Sequence, residues 1–320
     1  MIQRRQGSQE PNGIIEETAM FPVLSALGKS FGEDPAVKDP HAHDMYPSPG
    51  GHPEERMMDL VDKAAQIYAS NGYTTVSAFT GSLEKAKLFQ TMGEQGRLPL
   101  DLVMGILYVG TTAEQVGAVS SDTYKNHFRV IGGKINLDGG SPGRTAYLRE
   151  PYYKQLPGEK DYRGYSSIAK QDDMNKLVAS YYEAGVPIFI HAIGDAALDQ
   201  CIEAITYAEK LHPGEDRRTQ LIHLQQVNED QFEALEELDV SLTFQVTHNY
   251  YFGDFHAEEI FGPERTARLN PAGSALRHGF SVTIHHDGPS TPSTSSWRSG
   301  PRWSGKPAAA RCWVKVRTSA

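Results

Sequence analysis

From about residue 54 onward, amphipathic helical segments alternate with short apolar runs, and this alternation constrains the fold more than any other feature. It is the pattern of βα units around a parallel sheet. The apolar runs predict seven strands, at 73–79, 100–108, 128–137, 186–192, 219–224, 239–246 and 280–286. Because a barrel of this type closes with eight strands, the sequence predicts an α/β fold, a TIM-like barrel that is one strand short. An open doubly wound sheet is the alternative.

The segments between these strands have helical periodicity or none. Helices are predicted at 54–70, 82–94, after Thr111, at 171–184, 195–211, 228–237 and up to about 278. Two further segments differ, since 138–168 is rich in Gly, Pro, Tyr and Arg and 247–262 carries NYYFGDFH. They are predicted to be extended loops, which is where specificity in a barrel enzyme usually lies.

The two ends of the chain differ from this pattern. Residues 1–53 show weak periodicity, with ETAMFPVLSAL as the one convincing helical stretch, and we expect them to be poorly structured. After Asp287 the chain contains no Asp or Glu, and it holds all three tryptophans of the protein. We interpret 290–320 as a disordered tail, translated out of frame from near Pro289; a natural basic tail is the alternative. The predicted barrel domain is therefore 54–289.

Charge and cysteine content restrict the class of protein. A net charge of −9 and a pI near 5.7 argue against a nucleic-acid or anionic membrane partner, since these need a concentrated positive field. Cys201 and Cys312 give no basis for a disulfide framework. No apolar stretch approaches the length of about 18 residues that a membrane span needs. We expect a cytoplasmic enzyme that acts on a small molecule.

A lysine lies on the polar face of a predicted strand. In FRVIGGKINL, the apolar Ile131 and Ile135 share one face, whereas Lys134 shares the other face with Asn136 and Asp138. An isolated ammonium in a barrel interior is costly to desolvate, so it must be paired or chemically altered. An interior salt-bridge partner is the alternative to a functional lysine.

Imidazole and carboxylate groups end three of the predicted strands. His191 lies in HAIGD, His223 ends TQLIH, and Asp287 lies in HHDGP. Such a set suits zinc or a related divalent ion, and a metal site with an open position acidifies bound water to a pKa of about 7. A single His at a strand end is more often a hydrogen-bonded structural residue. The joint placement at strand ends favours a hydrolytic metal site.

Several segments resemble the amidohydrolase superfamily, and specifically amidohydrolase family three, which includes N-substituted formamide deformylases. They are GIIEETAMF, GGKINLDGGSPGRTAYL, PIFIHAIGDAALDQCIEAI, QLIHLQQV and HHDGP, which cover roughly residues 13–289. The resemblance implies a (β/α)₈ barrel with zinc ligands at strand ends. It places the strand-four lysine, which can be carboxylated by CO₂, at Lys134, the strand-five and strand-six histidines at His191 and His223, and the strand-eight aspartate at Asp287.

The resemblance also implies the reaction. The family hydrolyses carbon–nitrogen bonds other than peptide bonds, and the implied substrate here is a small amide or an N-acyl or N-formyl amine. Metal-bound water would be the nucleophile, the metal would polarise the carbonyl, and Asp287 would carry the proton to the leaving amine. Arg144 and His248 are candidates for substrate contact.

The sequence departs from the family at strand one. In the family, that strand carries an HxH pair of metal ligands. His41 and His43 have that spacing, but they follow GEDPAVKDP, which cannot be a buried strand, so a solvated loop is predicted. The segment 1–53 would belong to the family's barrel insertion, and no complete accompanying β-sandwich is predicted. We therefore expect a truncated barrel that lacks its first strand, binds metal poorly and has little activity.

Two other functions remain open from the sequence. In the first alternative, the chain is a catalytically inactive fragment. Its exposed strand edges would pair with a partner or with a second copy in a homo-oligomer. In the other it is a deaminase or a phosphoesterase, because the metal ligand set is shared across such barrels.

Overall fold

The computed structural model describes residues 2–4, 11–15, 54–288 and 290–291. The expectations for ETAMFPVLSAL, for His41 and His43, and for the tail beyond Thr291 lie outside these residues. The chain divides into two compact units, residues 1–66 and 67–320. In the first unit, strands β1 (Ile2–Arg4) and β2 (Pro11–Ile15) form an antiparallel pair.

The helices and strands that follow alternate along the chain. The strands are β3 (Thr75–Gly81), β4 (Asp101–Leu107), β5 (Phe128–Asn136), β6 (Ile188–Ala192), β7 (Thr219–His223), β8 (Val240–Phe244) and β9 (Val282–Ile284). The helices are α1 (Glu54–Ser70), α2 (Leu83–Glu94), α3 (Ala113–Val119), α4 (Gln171–Glu183), α5 (Asp195–Leu211), α6 (Glu229–Leu235), α7 (Thr247–Tyr251), α8 (Gly253–Phe255), α9 (Gly262–Thr266) and α10 (Ala272–Arg277). A single turn of 3₁₀ helix lies at Ser141–Gly143, and a turn of π-helix lies at His256–Ile260.

Within the described part of the chain, the main sheet has seven strands in the order β3-β4-β5-β6-β7-β8-β9, and every neighbouring pair is parallel. It curls into a half-barrel with helices on its outer side. The spatial order follows the sequence order without reversal, whereas a doubly wound sheet reverses direction at a switch point. The predicted TIM-like class is therefore confirmed, and the doubly wound alternative is wrong.

The predicted helix and strand positions agree closely with the structure. Helices 54–70 and 195–211 have the predicted bounds, and each predicted strand overlaps an observed one. The helix ends carry recognisable caps. Thr112 and Asn228, for example, form capping boxes with the side chains of Gln115 and Gln231.

The prediction of an extended loop at 247–262 is wrong. The segment folds into the short helical turns α7 and α8, the π-helical turn and the beginning of α9. Each turn is at most five residues long, which is too short to show a period of 3.6 residues in the sequence. The turns pack His256, Ile260 and Phe261 into a small core against Tyr152. By contrast, 138–168 is a loop as predicted, apart from its 3₁₀ turn.

The apolar core lies on the central strands and on the helix that covers them. Ile106, Ile135 and Ile190 are fully buried on three successive strands, and Ala197 and Cys201 are fully buried on α5. This core holds the carboxyl ends of β5 to β9 at one rim of the half-barrel. The rim is the place where barrels of this type carry their active sites.

A histidine connects two of the covering elements. His278, at the end of α10, contacts Glu236 through Nδ1 at 2.6 Å and Glu229 through Nε2 at 2.9 Å, and its ring stacks on Phe232 with centroids 5.1 Å apart. The side-chain hydrogen bonds to Glu236 and then Glu229 raise the pKa of His278 above its usual 6.5. The protonated form of His278 therefore stabilises the contact between α10 and α6.

This contact predicts a pH-dependent stability. Because the pKa of folded His278 is raised, its contribution is fully present below the unfolded value and is lost as pH rises through the folded value. We expect the stability difference between wild type and His278→Gln, measured by urea unfolding, to be larger in mildly acidic than in mildly alkaline buffer. A difference that stays constant or grows with pH would contradict the assigned ion pairs.

Candidate metal centre

Lys134 lies inside the sheet near the end of β5. Lys134 is 4 % exposed, and its Nζ lies 5.5 Å from the ring centroid of Phe79. Burial lowers the pKa of Lys134 to about 7, and the charges of Asp287 and Asp138 partly oppose this shift. The alternation of side chains along the strand predicts that Lys134 points into the interior.

Three imidazoles lie side by side at the ends of neighbouring strands. The ring centroids of His191 and His223 are 4.2 Å apart, and those of His223 and His285 are 4.8 Å apart. Burial lowers the pKa of His223 well below its usual value, and burial lowers the pKa of His285 to about 4. Neutral imidazole is the form that binds a metal ion.

The backbone at the end of β7 adopts an unusual conformation. His223 has φ of 84° and the next residue, Leu224, has φ of 45°. Positive φ is uncommon for residues other than glycine and costs of order 1–3 kcal/mol at each position. Such conformations cluster at functional sites, where the surrounding structure holds a side chain in a required direction. Here they place the buried His223 ring between His191 and His285.

Asp138 joins the loop after β5 to the loop after β6. Its side chain is fully buried and accepts hydrogen bonds from three backbone N–H groups, those of Tyr147, Ile193 and Gly194, each at 2.9 Å. Its Oδ1 also lies 3.3 Å from Nε2 of His191. Gly194 has no Cβ, and one there would collide with the backbone of Tyr147. Asp138 therefore joins the two loops and supplies a negative charge near Lys134 and His191.

Asp287 follows β9 and is exposed to solvent, with φ of 54°. Its Oδ2 accepts a hydrogen bond from Nε2 of Gln245 at 3.3 Å. Its charge acts on Lys134 and on His285. The structure thus brings Lys134, His191, His223 and Asp287 to one region of the rim, although it does not surround a single point with them.

The two candidates for substrate contact have partners within the protein. Nη2 of Arg144 lies 3.5 Å from Oε2 of Glu259, and the side chain is 18 % exposed. His248 lies in α7 and not in a loop, is buried, and contacts Nε2 of Gln225 through Nδ1 at 2.8 Å. Burial lowers the pKa of His248 to about 4. Their contact with a substrate stays a prediction.

Sequence reasoning did not select several residues at this rim. These residues are His285, Gln225 and Gln245. The signal for His285 was present, because the doublet His285-His286 ends a predicted strand as His191 and His223 do. Gln245 follows β8 directly and Gln225 follows β7 after Leu224, but a glutamine after a strand has no distinctive pattern.

The free atoms of these residues determine whether they suit a divalent metal. In the described residues, Nε2 of His191, Nδ1 of His223 and Nε2 of His285 are buried without a hydrogen-bond partner. Unpartnered imidazole nitrogens beside a carboxylate are the donor set that zinc prefers. As placed, no three His, Cys, Asp or Glu groups in the described part of the chain surround one ion. The donor chemistry of these residues nevertheless fits a divalent metal.

Comparison with known proteins places the chain in a family. The profile of the amidohydrolase family matches residues 1–309. "Putative amidohydrolase YtcJ" of Bacillus subtilis (strain 168) is 32% identical over 114 residues, which are 35% of this chain and 20% of that protein. The chain thus spans about a fifth of that curated relative. In the described residues, no helix has the length and apolar character to cross a membrane.

Two solved structures share the fold. An uncharacterized metal-dependent hydrolase from Pyrococcus furiosus superposes with a TM-score of 0.65 at 21% identity, covering 78% of this chain and 50% of that one. One from Pyrococcus horikoshii OT3 superposes with a TM-score of 0.66 at 19% identity, covering 92% of this chain and 54% of that one. The chain spans about half the length of each. Since the family profile matches nearly the whole sequence, the chain belongs to the amidohydrolase family.

Proposed function

We propose that the protein is a metal-dependent hydrolase that cleaves a carbon–nitrogen bond, other than a peptide bond, in a small amide or an N-acyl or N-formyl amine. The observation that carries this proposal is the row of His191, His223 and His285, whose buried nitrogens have no partner among the described residues and lie beside Lys134. Membership of the amidohydrolase family supports it.

The metal would be held by His191, His223, Asp287 and Lys134, with zinc as the ion that best suits these donors. When bound, it would supply an acidified water and polarise the scissile carbonyl. Lys134 would contribute as a carbamate formed with CO₂. That reaction replaces a buried cation by an anion and removes the cost of desolvating an ammonium.

The protein's own residues would position the reactants and move the proton. Asp287 is exposed to the rim and held by Gln245, so its carboxylate can take a proton from the attacking water and deliver it to the leaving amine. Asp138 holds the loops after β5 and β6 together. The 138–168 loop and the short helices α7 to α9 would line the substrate site.

This proposal is tested by amine release. The full chain, supplied with zinc and bicarbonate, is incubated with N-formyl and N-acyl amines. We expect slow release of the free amine that stops when phenanthroline removes the metal and returns when zinc is restored, because the metal supplies the nucleophile. Release that is insensitive to the chelator, or no release by metal-loaded protein, would contradict the proposal.

A further inference from the structure

We propose that Gln225 is a positioning residue that fixes His248 as a hydrogen-bond donor through Nε2, and that this donor binds the carbonyl oxygen of the amide substrate. The inference rests on the proposed function for the identity of the ligand. Its structural basis is a buried chain of side-chain amides that connects Asp287 to His248.

The direction of this chain follows from Asp287. A carboxylate only accepts hydrogen bonds, so the amide nitrogen of Gln245, at 3.3 Å from Oδ2, must face Asp287. Nε2 of Gln245 also lies 3.1 Å from Oγ of Ser290. The carbonyl oxygen of Gln245 therefore faces the other way, toward Gln225, and can only accept.

The orientation of Gln225 follows from that of Gln245. Nε2 of Gln225 donates to Oε1 of Gln245 at 3.2 Å, and Oε1 of Gln225 accepts from Oγ of Ser141 at 2.5 Å. The same Nε2 faces Nδ1 of His248 at 2.8 Å. An amide nitrogen only donates, so Nδ1 of His248 must accept. All three side chains, Ser141, Gln225 and Gln245, are buried.

The tautomer of His248 is thereby determined. A neutral imidazole that accepts at Nδ1 carries its proton on Nε2. Burial, which lowers the pKa of His248 to about 4, keeps the ring neutral near neutral pH. Nε2 is buried and has no hydrogen-bond partner among the described residues. The one unused polar atom of His248 is therefore an N–H donor.

The surroundings of His248 favour an uncharged acceptor. Its ring packs against Phe252 at 4.7 Å and against the neutral His256 at 5.8 Å between centroids. The pKa of His256 is lowered to about 3 by burial. A neutral donor held in a largely apolar environment suits a carbonyl oxygen, on which negative charge develops as an amide is attacked.

The test reads the tautomer directly. The full chain is labelled with ¹⁵N-histidine, and long-range ¹H–¹⁵N spectra are recorded for wild type, Gln225→Glu and Gln225→Met, with His248→Gln to assign the signal. We expect the Nε2–H form in wild type. In Gln225→Glu the carboxylate accepts, so the proton moves to Nδ1, whereas Gln225→Met gives a mixture. A purely structural role for Gln225 would leave the tautomer unchanged.

The second arm adds N-methylacetamide as an inert amide. We expect the Nε2–H signal of His248 to shift on titration in wild type and to lose this response in Gln225→Glu. An Nδ1–H tautomer in wild type, an unchanged tautomer in Gln225→Glu, or an amide that leaves His248 unperturbed would each overturn the inference. The expected spectra without any amine release would contradict the proposed hydrolysis and leave the assignment of His248 supported.

Discussion

Replacing Asp138 by alanine is expected to destabilise the protein by about 3–5 kcal/mol, the range found when one partner of a buried charge network is removed. The side chain is fully buried and accepts from three backbone N–H groups, and its charge acts on Lys134. In Asp138→Ala these donors lose their acceptor, and a buried donor without a partner costs about 1–3 kcal/mol. Urea unfolding followed by circular dichroism measures the change.

Two further variants make this prediction specific. Asp138→Asn keeps the shape, but its amide nitrogen must face at least one backbone N–H, so we expect a loss smaller than that of Asp138→Ala. Asp122→Ala removes a carboxylate that is 81 % exposed and pairs with Arg218 at the surface. Exposed pairs contribute about 0–1 kcal/mol. If Asp138→Ala were no more destabilising than Asp122→Ala, Asp138 would not hold the two loops together.

Local patterns in the sequence were sufficient for the fold. Helices such as α1 and α5 are 17 residues long, so the 3.6-residue period is unmistakable. Central strands such as β4 and β6 are apolar because both of their faces are covered. The strand ends also placed Lys134, His191 and His223 at one rim. The alternation of side chains along a strand and the order of the strands are both visible in short stretches of sequence. They were enough to place these residues at the same rim.

What the sequence did not predict depends on contacts between distant residues. The acceptor role of Asp138 joins it to Ile193 and Gly194, more than fifty positions away. Arg144 pairs with Glu259, 115 positions away, so its charge is not free. Neither pairing leaves a local pattern, because hydrogen bonds between loops depend on the packing of the whole rim.

The short helices after β8 show a second limit. In the segment from Thr247 to Thr266, the apolar side chains that become buried are spaced by individual turns and not by one continuous helix. No period emerges over such lengths. The contact between His248 and Gln225 joins this segment to a residue that precedes it by 23 positions. Such a contact is not visible in the local sequence.

The second large effect concerns the metal itself. His223 is the central imidazole of the row and is held by a strained backbone, so His223→Ala is expected to weaken metal binding by more than about 100-fold. Removal of residues that only orient metal ligands already costs 10–100-fold. His127→Ala is the matched control, because that imidazole is 62 % exposed and contacts Asp101 away from the row.

Titration of the full chain with Co²⁺, followed by its visible absorption, tests most directly whether the strand-end residues form one metal site. We predict that wild type and His127→Ala bind one equivalent of Co²⁺ weakly, and that His191→Ala and His223→Ala bind it far more weakly still. Equal affinity in wild type and His223→Ala would contradict the assignment of a metal centre to this rim.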